Sequence, residues 1–345
     1  MKALIAKEPK KPEIIEVEKP VCGPKDIIAK VNYAGICATD IAIITGETMF
    51  VESGQVKYPV RIGHEWCGTV VEAGAEVQNL KVGDKVVGDN GVPCFSCPEC
   101  LAGNLAGCPN TRSVGTINTY DGCFAEYMKM PAAITYKLPD DVNMKSAALI
   151  EPAAIAMAGI EKMGIKAGET VMVIGTGPIG LTGVALLKAC GARVVLVGRR
   201  DSKLAYGAKV GADYLINNKE KDVLEELKKI DPRGKVDAVL ETSGNAGVLN
   251  ETYKYVVGRG KIGLAGFFEQ RIDGFDIDQF VLAAVDLCGI AGYLGVMKDV
   301  VRLMEQGKVD FSPLVTSVYP FDDAVEAVNH VIENDGDRIK VLLEF

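Results

Sequence analysis

Residues 170–180, "TVMVIGTGPIG", decide how the second half of this chain folds. A short β-favouring run leads straight into glycines at 175, 177 and 180, and a helix-length segment follows. A G-x-G-x-x-G pattern by itself marks many ordinary turns. Here it follows a strand and opens a helix, the setting that dinucleotide binding requires. Gly175 permits the tight turn, Gly177 lets the backbone approach a pyrophosphate, and Gly180 allows close helix–strand packing, with Pro178 and Ile179 between them. The helix N-terminus adds free N–H groups and a positive dipole end for the phosphates. Downstream, "ARVVLVG" (192–198), "ADYLIN" (212–217), "VDAVLE" (236–241) and "KIGLAG" (261–266) alternate with helix-length segments. That rhythm predicts an α/β fold with a parallel, doubly wound sheet. Thr242 and Gly266, at the ends of the last two runs, join the expected cofactor contacts.

The end of the second run selects the dinucleotide. An acid there binds both ribose hydroxyls of NAD and repels an added phosphate. Gly198 stands where that acid is expected, and Arg199 and Arg200 follow. Two guanidiniums suit a 2′-phosphate, which they grip through paired N–H donors. The alternative is a pair of surface arginines, with Asp201 serving the ribose from downstream. The missing acid and the paired arginines together favour NADP over NAD.

The flanking regions read differently. Residues 1 to about 140 hold short β-like runs separated by Gly, Pro and Asp, among them "KALIA", "DIIAKVNYAGI" and "FAEYMKM". The tail predicts helices near 297–307 and 321–334 and a last strand, "IKVLLEF". A β-rich domain over 1–150, completed by 292–345, is therefore expected around a nucleotide-binding domain over 151–291, with their cleft as the expected site. A length of 345 residues suits two domains. No apolar stretch reaches membrane-spanning length, and the N-terminal apolar run of four residues is too short for a signal peptide. A cytoplasmic protein is expected, whose ten cysteines are free thiols or metal ligands rather than disulfides. The net charge of −8, with no basic cluster, argues against nucleic acid and anionic membrane as partners.

"CFSCPECLAGNLAGC" (94–108) places Cys94, Cys97, Cys100 and Cys108 within fifteen residues. Four thiolates fill a tetrahedral zinc shell and exclude water, so such a site is structural. A nucleic-acid-binding zinc module is the other reading, and the acidic balance with no basic helix argues against it. His64, one of only two histidines, stands in "GHEW" beside Glu65; Cys37 lies in "GICATD" and Glu151 in "ALIEP". Scattered ligands of this kind suit a catalytic zinc, which takes three protein donors and leaves one position open. From spacing alone the signal is modest, because a lone histidine is more often a satisfied, partly buried residue.

"GICATD", "GHEWCGTVVEAGAEVQNLKVGDKV", the four-cysteine run, "DGCFAEY", "IEP" and "VMVIGTGPIG" follow one another in an order that resembles the zinc-dependent medium-chain alcohol/polyol dehydrogenases over almost the whole chain. The resemblance implies a GroES-like catalytic domain around a Rossmann domain. It implies Cys37 and His64 as catalytic zinc ligands, and Glu151 as a third where polyol- and threonine-dehydrogenase-like members carry an acid. Glu65 matches the acid that approaches or exchanges onto the metal. Asp40 matches the carboxylate that orients the histidine, and Thr39 the hydroxyl that hands on the alcohol proton. The expected reaction moves a hydride between NADP(H) and a secondary alcohol or polyol, or the corresponding ketone. Some members end the proton relay in a histidine three residues after that hydroxyl; here the residue is Ala42. Two zincs per chain follow, as does a homodimer or homotetramer joined through the Rossmann sheet edge, for which "VDLCGIAGYLG" (285–295) is the candidate.

Rival readings are a zinc-free quinone or enone reductase, which needs neither Cys37, His64 nor Glu151, a non-catalytic NADP-binding redox sensor, and a Rossmann-type methyltransferase. Cys22, Cys67, Cys123, Cys190 and Cys288 read as small buried groups, and His330 as a packing or surface residue. Residues 109–120 with Met49, Phe50, Phe267 and Tyr293 are candidate pocket walls and do not identify the substrate.

Overall fold

Apolar strand runs alternating with helices build one sheet, and short strands punctuated by turns build another, in a computed structural model that describes every residue except 270, 292, 293, 334 and 335. The chain divides into two units, Met1–Glu151 with Gly292–Glu305 and Val315–Phe345, and Pro152–Ala291 with Gln306–Leu314. Among the described residues no helix is long and apolar enough to cross a membrane.

The second unit is a six-stranded parallel sheet in the order Tyr214–Asn217, Arg193–Gly198, Thr170–Ile174, Val236–Glu241, Val256–Leu264, Asp286–Gly289. The chain runs outward from Thr170–Ile174 in one direction and then returns to the other side. That strand therefore ends at the topological switch point, where open α/β sheets bind ligands. Helices cover both faces of such a sheet, so its strands are apolar throughout rather than alternating. Val171, Met172, Val173, Val194, Val195 and Leu196 accordingly have no exposed surface. The strand predicted from "KIGLAG" begins earlier, at Val256, and stops at Leu264, so Gly266 lies beyond it.

The first unit contains a seven-stranded sheet whose hub is Asp26–Gly35. This strand pairs antiparallel with Glu65–Ala73, Tyr127–Pro131 and the final strand Lys340–Glu344. The register sets Gly35 opposite both Glu65 and Leu342. Chain segments far apart in sequence thus meet at one edge of the hub. The tail helices are Met297–Glu305 and Ala324–Glu333, the latter entered through a 3-10 turn at Phe321–Asp323.

A polar clamp closes the lower rim of the parallel sheet. Asp231 accepts from Arg233 Nε (2.9 Å), Arg233 Nη2 (3.0 Å), the Arg233 N–H (2.9 Å) and Arg193 Nη2 (3.3 Å). Arg193 also donates to Thr170 Oγ1 at 2.8 and 3.0 Å, joining neighbouring strands. The Arg233 contacts hold the Asp231 carboxyl down to about 2. Because the folded value is depressed, the stabilisation is full above the unfolded value of about 3.9 and is lost as pH falls through the folded one. Asp231→Asn should therefore lower stability by about 1–3 kcal/mol at pH 7. Urea unfolding of variant and wild type should show that gap narrowing between about pH 4 and pH 2; a gap independent of pH would refute the clamp.

Candidate active site

The helix Ala38–Thr45 starts at Cys37, and Asp40 in its first turn reaches back to accept the Cys37 N–H at 2.9 Å. An acid there satisfies an orphan donor and sits at the positive end of the helix. The same carboxylate is wholly buried; its Oδ1 accepts the Gly63 N–H and lies 3.1 Å from His64 Nδ1. Asp40 thereby occupies Nδ1 and leaves Nε2 as the nitrogen free to bind a metal. Burial opposes charge on His64, but Asp40 and Cys37 outweigh it and hold the imidazole well above its ordinary range.

Glu65, the next residue, begins the strand paired to the hub. Its carboxylate fits only because position 35 is glycine: a Cβ there would lie 2.2 Å from Glu65 Oε2. Lys340 of the last strand meets both carboxylate oxygens at 2.6 and 2.7 Å and also donates to the Ile36 carbonyl at 3.3 Å. Lys340 is 2% exposed and Glu65 1%. Burial disfavours the ammonium, yet Glu65 and then Cys37 more than compensate and raise it above its usual value.

Donor atoms of Cys37, His64 and Glu65 lie within 4.8 Å of one another. Glu151, in the first turn of the helix Ile150–Met163, is outside that set; its Oε1 accepts Asn90 Nδ2 at 2.7 Å. Burial, with Glu65 adding to it, pushes Glu151 up to about 7 against the pull of His64 and Lys340. One sulfur, one imidazole and three buried carboxylates thus lie together with Lys340, a donor chemistry suited to a divalent cation. Thr39 is half-buried beside Asp40.

The four cysteines converge as spaced. Their sulfurs are 3.5 Å (Cys97–Cys100), 3.6 Å (Cys94–Cys108), 3.8 Å (Cys97–Cys108) and 4.0 Å (Cys94–Cys100) apart. A tetrahedral zinc with bonds of about 2.3 Å separates its sulfurs by about 3.8 Å, so the cage fits that ion. N–H groups support the thiolates: Cys97 N donates to Cys94 Sγ and Cys94 N to Cys108 Sγ, each at 3.4 Å. Hydrogen bonds, first from Ser96, draw the Cys94 thiol down to about 5, and burial drives Cys100 up to about 12.

In the second unit Gly175 has φ +118°, and a Cβ there would meet Thr242 Oγ1 at 2.4 Å; a Cβ on Gly180 would meet the Gly175 carbonyl at 2.1 Å. Thr242 donates to the Ile174 carbonyl at 2.9 Å, holding this turn from behind, and Gly266 packs on the Gly244 backbone. Gly177 has nothing within 4 Å of its would-be Cβ, so the helix Pro178–Ala189 opens on clear space. A cavity of about 260 Å³ beside this turn is lined by Ile174, Val197, Arg199, Asn218 and Tyr255 among others. Arg199 is on its wall, whereas Arg200 starts the helix Asp201–Lys209; both are exposed. The Asp201 carboxylate accepts Asn217 Nδ2 at 2.9 Å.

Residues 23–140 match the family described as alcohol dehydrogenase GroES-like domain, and residues 178–306 the family described as zinc-binding dehydrogenase. L-threonine 3-dehydrogenase of Pyrococcus abyssi is 34% identical over 91% of this chain and 90% of its own length. The chain belongs to the zinc-type medium-chain alcohol dehydrogenase family. Sorbitol dehydrogenase of Bacillus subtilis is 29% identical over 99% of this chain and 97% of its own. A zinc-binding dehydrogenase structure from Sinorhizobium meliloti bound to NADP has TM-score 0.88 at 28% identity, covering 100% and 99% of the two chains. An alcohol dehydrogenase structure from Escherichia coli complexed with NADH has the same score, identity and coverage. The fold is the GroES-like and Rossmann pair expected, and the dehydrogenase reading is supported over a zinc-free reductase or a redox sensor.

Two residues of this dehydrogenase escaped the sequence reading, Lys340 and Asn90. Phe50 is buried in the core of the first unit and Phe267, in the second, is exposed; Tyr293 lies outside the described residues. His330 packs against the Tyr319 ring at 5.9 Å. Cys67 and Cys123 are buried, while Cys22, Cys190 and Cys288 are only partly so. Lys340→Met should strand the Glu65 charge and cost about 3–5 kcal/mol of stability, with Lys340→Met/Glu65→Gln recovering most of it. Denaturant melts of both variants decide this; equal losses would show that the ion pair is not what matters.

Proposed function

We propose that this enzyme is a zinc-dependent dehydrogenase that moves a hydride between NADP(H) and a secondary alcohol or polyol, or the corresponding ketone. The observation that carries the reading is the convergence of half-buried Cys37 with buried His64 and Glu65, and Asp40 on Nδ1. A zinc-free reductase has no use for such a set. When bound, the metal supplies Lewis-acid polarisation of the alcohol or carbonyl oxygen, and the dinucleotide supplies the hydride acceptor.

The chain's own groups do the rest. Cys37 and His64 hold the metal, joined by Glu65 or Glu151, and Asp40 keeps the imidazole turned with Nε2 outward. Thr39 accepts the alcohol proton and passes it on through water or a ribose hydroxyl, since Ala42 offers no group to continue the relay. Gly177 and the N–H groups after it receive the pyrophosphate, and Arg199 pairs with the 2′-phosphate. Cys94, Cys97, Cys100 and Cys108 hold a second zinc that stabilises the fold. The substrate is a small alcohol or ketone; nucleic acid and membrane have no part. The ten cysteines, none in a disulfide, fit a cytoplasmic setting. Exposed Val281 and Leu282, near the edge strand Asp286–Gly289, support a homodimer or homotetramer joined there, although part of the segment 285–295 lies outside the described residues.

Metal analysis should give two zincs per chain. Cys37→Ser and His64→Ala should each abolish turnover and remove one ion while leaving dinucleotide titrations unchanged. Cys100→Ser should remove the other ion and lower thermal stability, because bound metal contributes to folding free energy. Turnover retained in Cys37→Ser or His64→Ala would overturn the catalytic assignment.

Cofactor choice is tested by the ratio of kcat/KM for NADP and NAD. One charge-assisted contact of about 1.5–3 kcal/mol favours NADP by roughly 10- to 100-fold. Arg199→Ala should erase most of that factor. Gly198→Asp with Arg199→Ala should reverse it, and adding Thr176→Ala should improve the reversal, since a Cβ at 198 meets Thr176 Cγ2 at 2.5 Å. A wild-type preference for NAD would refute the assignment.

A further inference from the structure

Glu151 is held by a residue that no motif singles out. Asn90 sits between two fixed points: its carbonyl accepts the Val114 N–H at 2.9 Å, and its neighbour Asp89 is anchored by Tyr136 Oη at 2.6 Å and the Gly295 N–H at 3.0 Å. From this base Asn90 Nδ2 donates to Glu151 Oε1 at 2.7 Å. The carboxylate dictates the amide orientation, because only the NH₂ side can donate to it. The other end of the amide bears the consequence: Asn90 Oδ1 is buried with no partner among the described residues. An orphaned carbonyl is unfavourable, and an apolar side chain of similar volume would avoid it. What the asparagine gains in return is the grip on Glu151.

We propose that Asn90 is a positioning residue that holds Glu151 off the metal, so that Cys37, His64 and Glu65 form the resting donor set and Glu151 stays in reserve. The inference rests on the metal site proposed above. Two carboxylates compete for one ion there, and each is restrained by a different partner, Glu65 by Lys340 and Glu151 by Asn90. Freed of its tether, Glu151 is an unneutralised buried anion beside a cation and moves onto it. Outer partners of metal ligands shift metal affinity by roughly 10- to 100-fold when removed. Here the change is a gain, because the freed group is itself a ligand.

The test loads the full chain with ¹¹³Cd²⁺ in place of zinc and records cadmium NMR together with chelator competition. The four-sulfur site gives its own well-separated signal and reports folding. Asn90→Ala, and the near-isosteric Asn90→Leu, should shift the mixed-donor signal toward more oxygen-rich values and tighten cadmium binding about tenfold or more. Glu151→Gln alone should leave that signal in place, and Asn90→Ala/Glu151→Gln should return it to the wild-type position. Asn90 is refuted as the tether if the mixed-donor signal is present but unmoved in both Asn90 variants. It is also refuted if Glu151→Gln alone shifts the signal, since Glu151 would then be a resting ligand. Absence of a mixed-donor signal in the wild type refutes the metal site itself.

Discussion

Three carboxylates are buried around one imidazole and one thiol, and their charge must be compensated. Asp40 spends its oxygens on the Cys37 and Gly63 N–H groups and on His64. Glu65 is matched by Lys340, and Glu151 receives only the amide of Asn90. The three solutions differ in strength. Asp40 is satisfied by fixed backbone donors and a ring, Glu65 by a full countercharge, and Glu151 by a single neutral donor. Burial accordingly raises Glu151 to about 7. The least satisfied carboxylate is the one with most to gain from a bound cation.

Sheet register makes this arrangement possible. Lys340 reaches Glu65 across 275 positions of chain because the last strand pairs with the hub on one side and Glu65 starts the strand on its other side. Gly35 lies at the crossing, and any side chain there would occupy the space of the Glu65 carboxylate. The closing strand is therefore part of the site's electrostatics as well as of the sheet.

This also explains what could be read in advance. The parallel sheet announced itself in local rhythm, and the four cysteines in local spacing, because both depend on residues close in sequence. The pairing of Asp40 with His64 follows once the two motifs are placed together. Lys340 gave no such signal: in "RIKVLLEF" a lysine at a strand end reads as solvated, and only the long-range register buries it. Asn90 is one asparagine in a turn-rich stretch, "GDNGVP", where that residue type is expected for turn chemistry alone.

The nucleotide end obeys the same rule of compensation by packing. Gly198 does more than lack a carboxylate. Thr176 Cγ2 and Leu204 Cδ2 stand 2.5 and 3.2 Å from where its Cβ would be, so the room for an acid is already taken. The rival acid, Asp201, opens a helix where the dipole favours it and is engaged by Asn217, which reduces its freedom to turn toward a ribose. Glu251 also lines the cavity, but Lys254 lies 2.5 Å from its carboxylate. Position 198 thus lacks a carboxylate, Asp201 is occupied and Glu251 is matched. The proposed preference for NADP rests on that combination as much as on the guanidinium of Arg199, which is why one substitution at position 198 is not expected to carry the whole of a reversal.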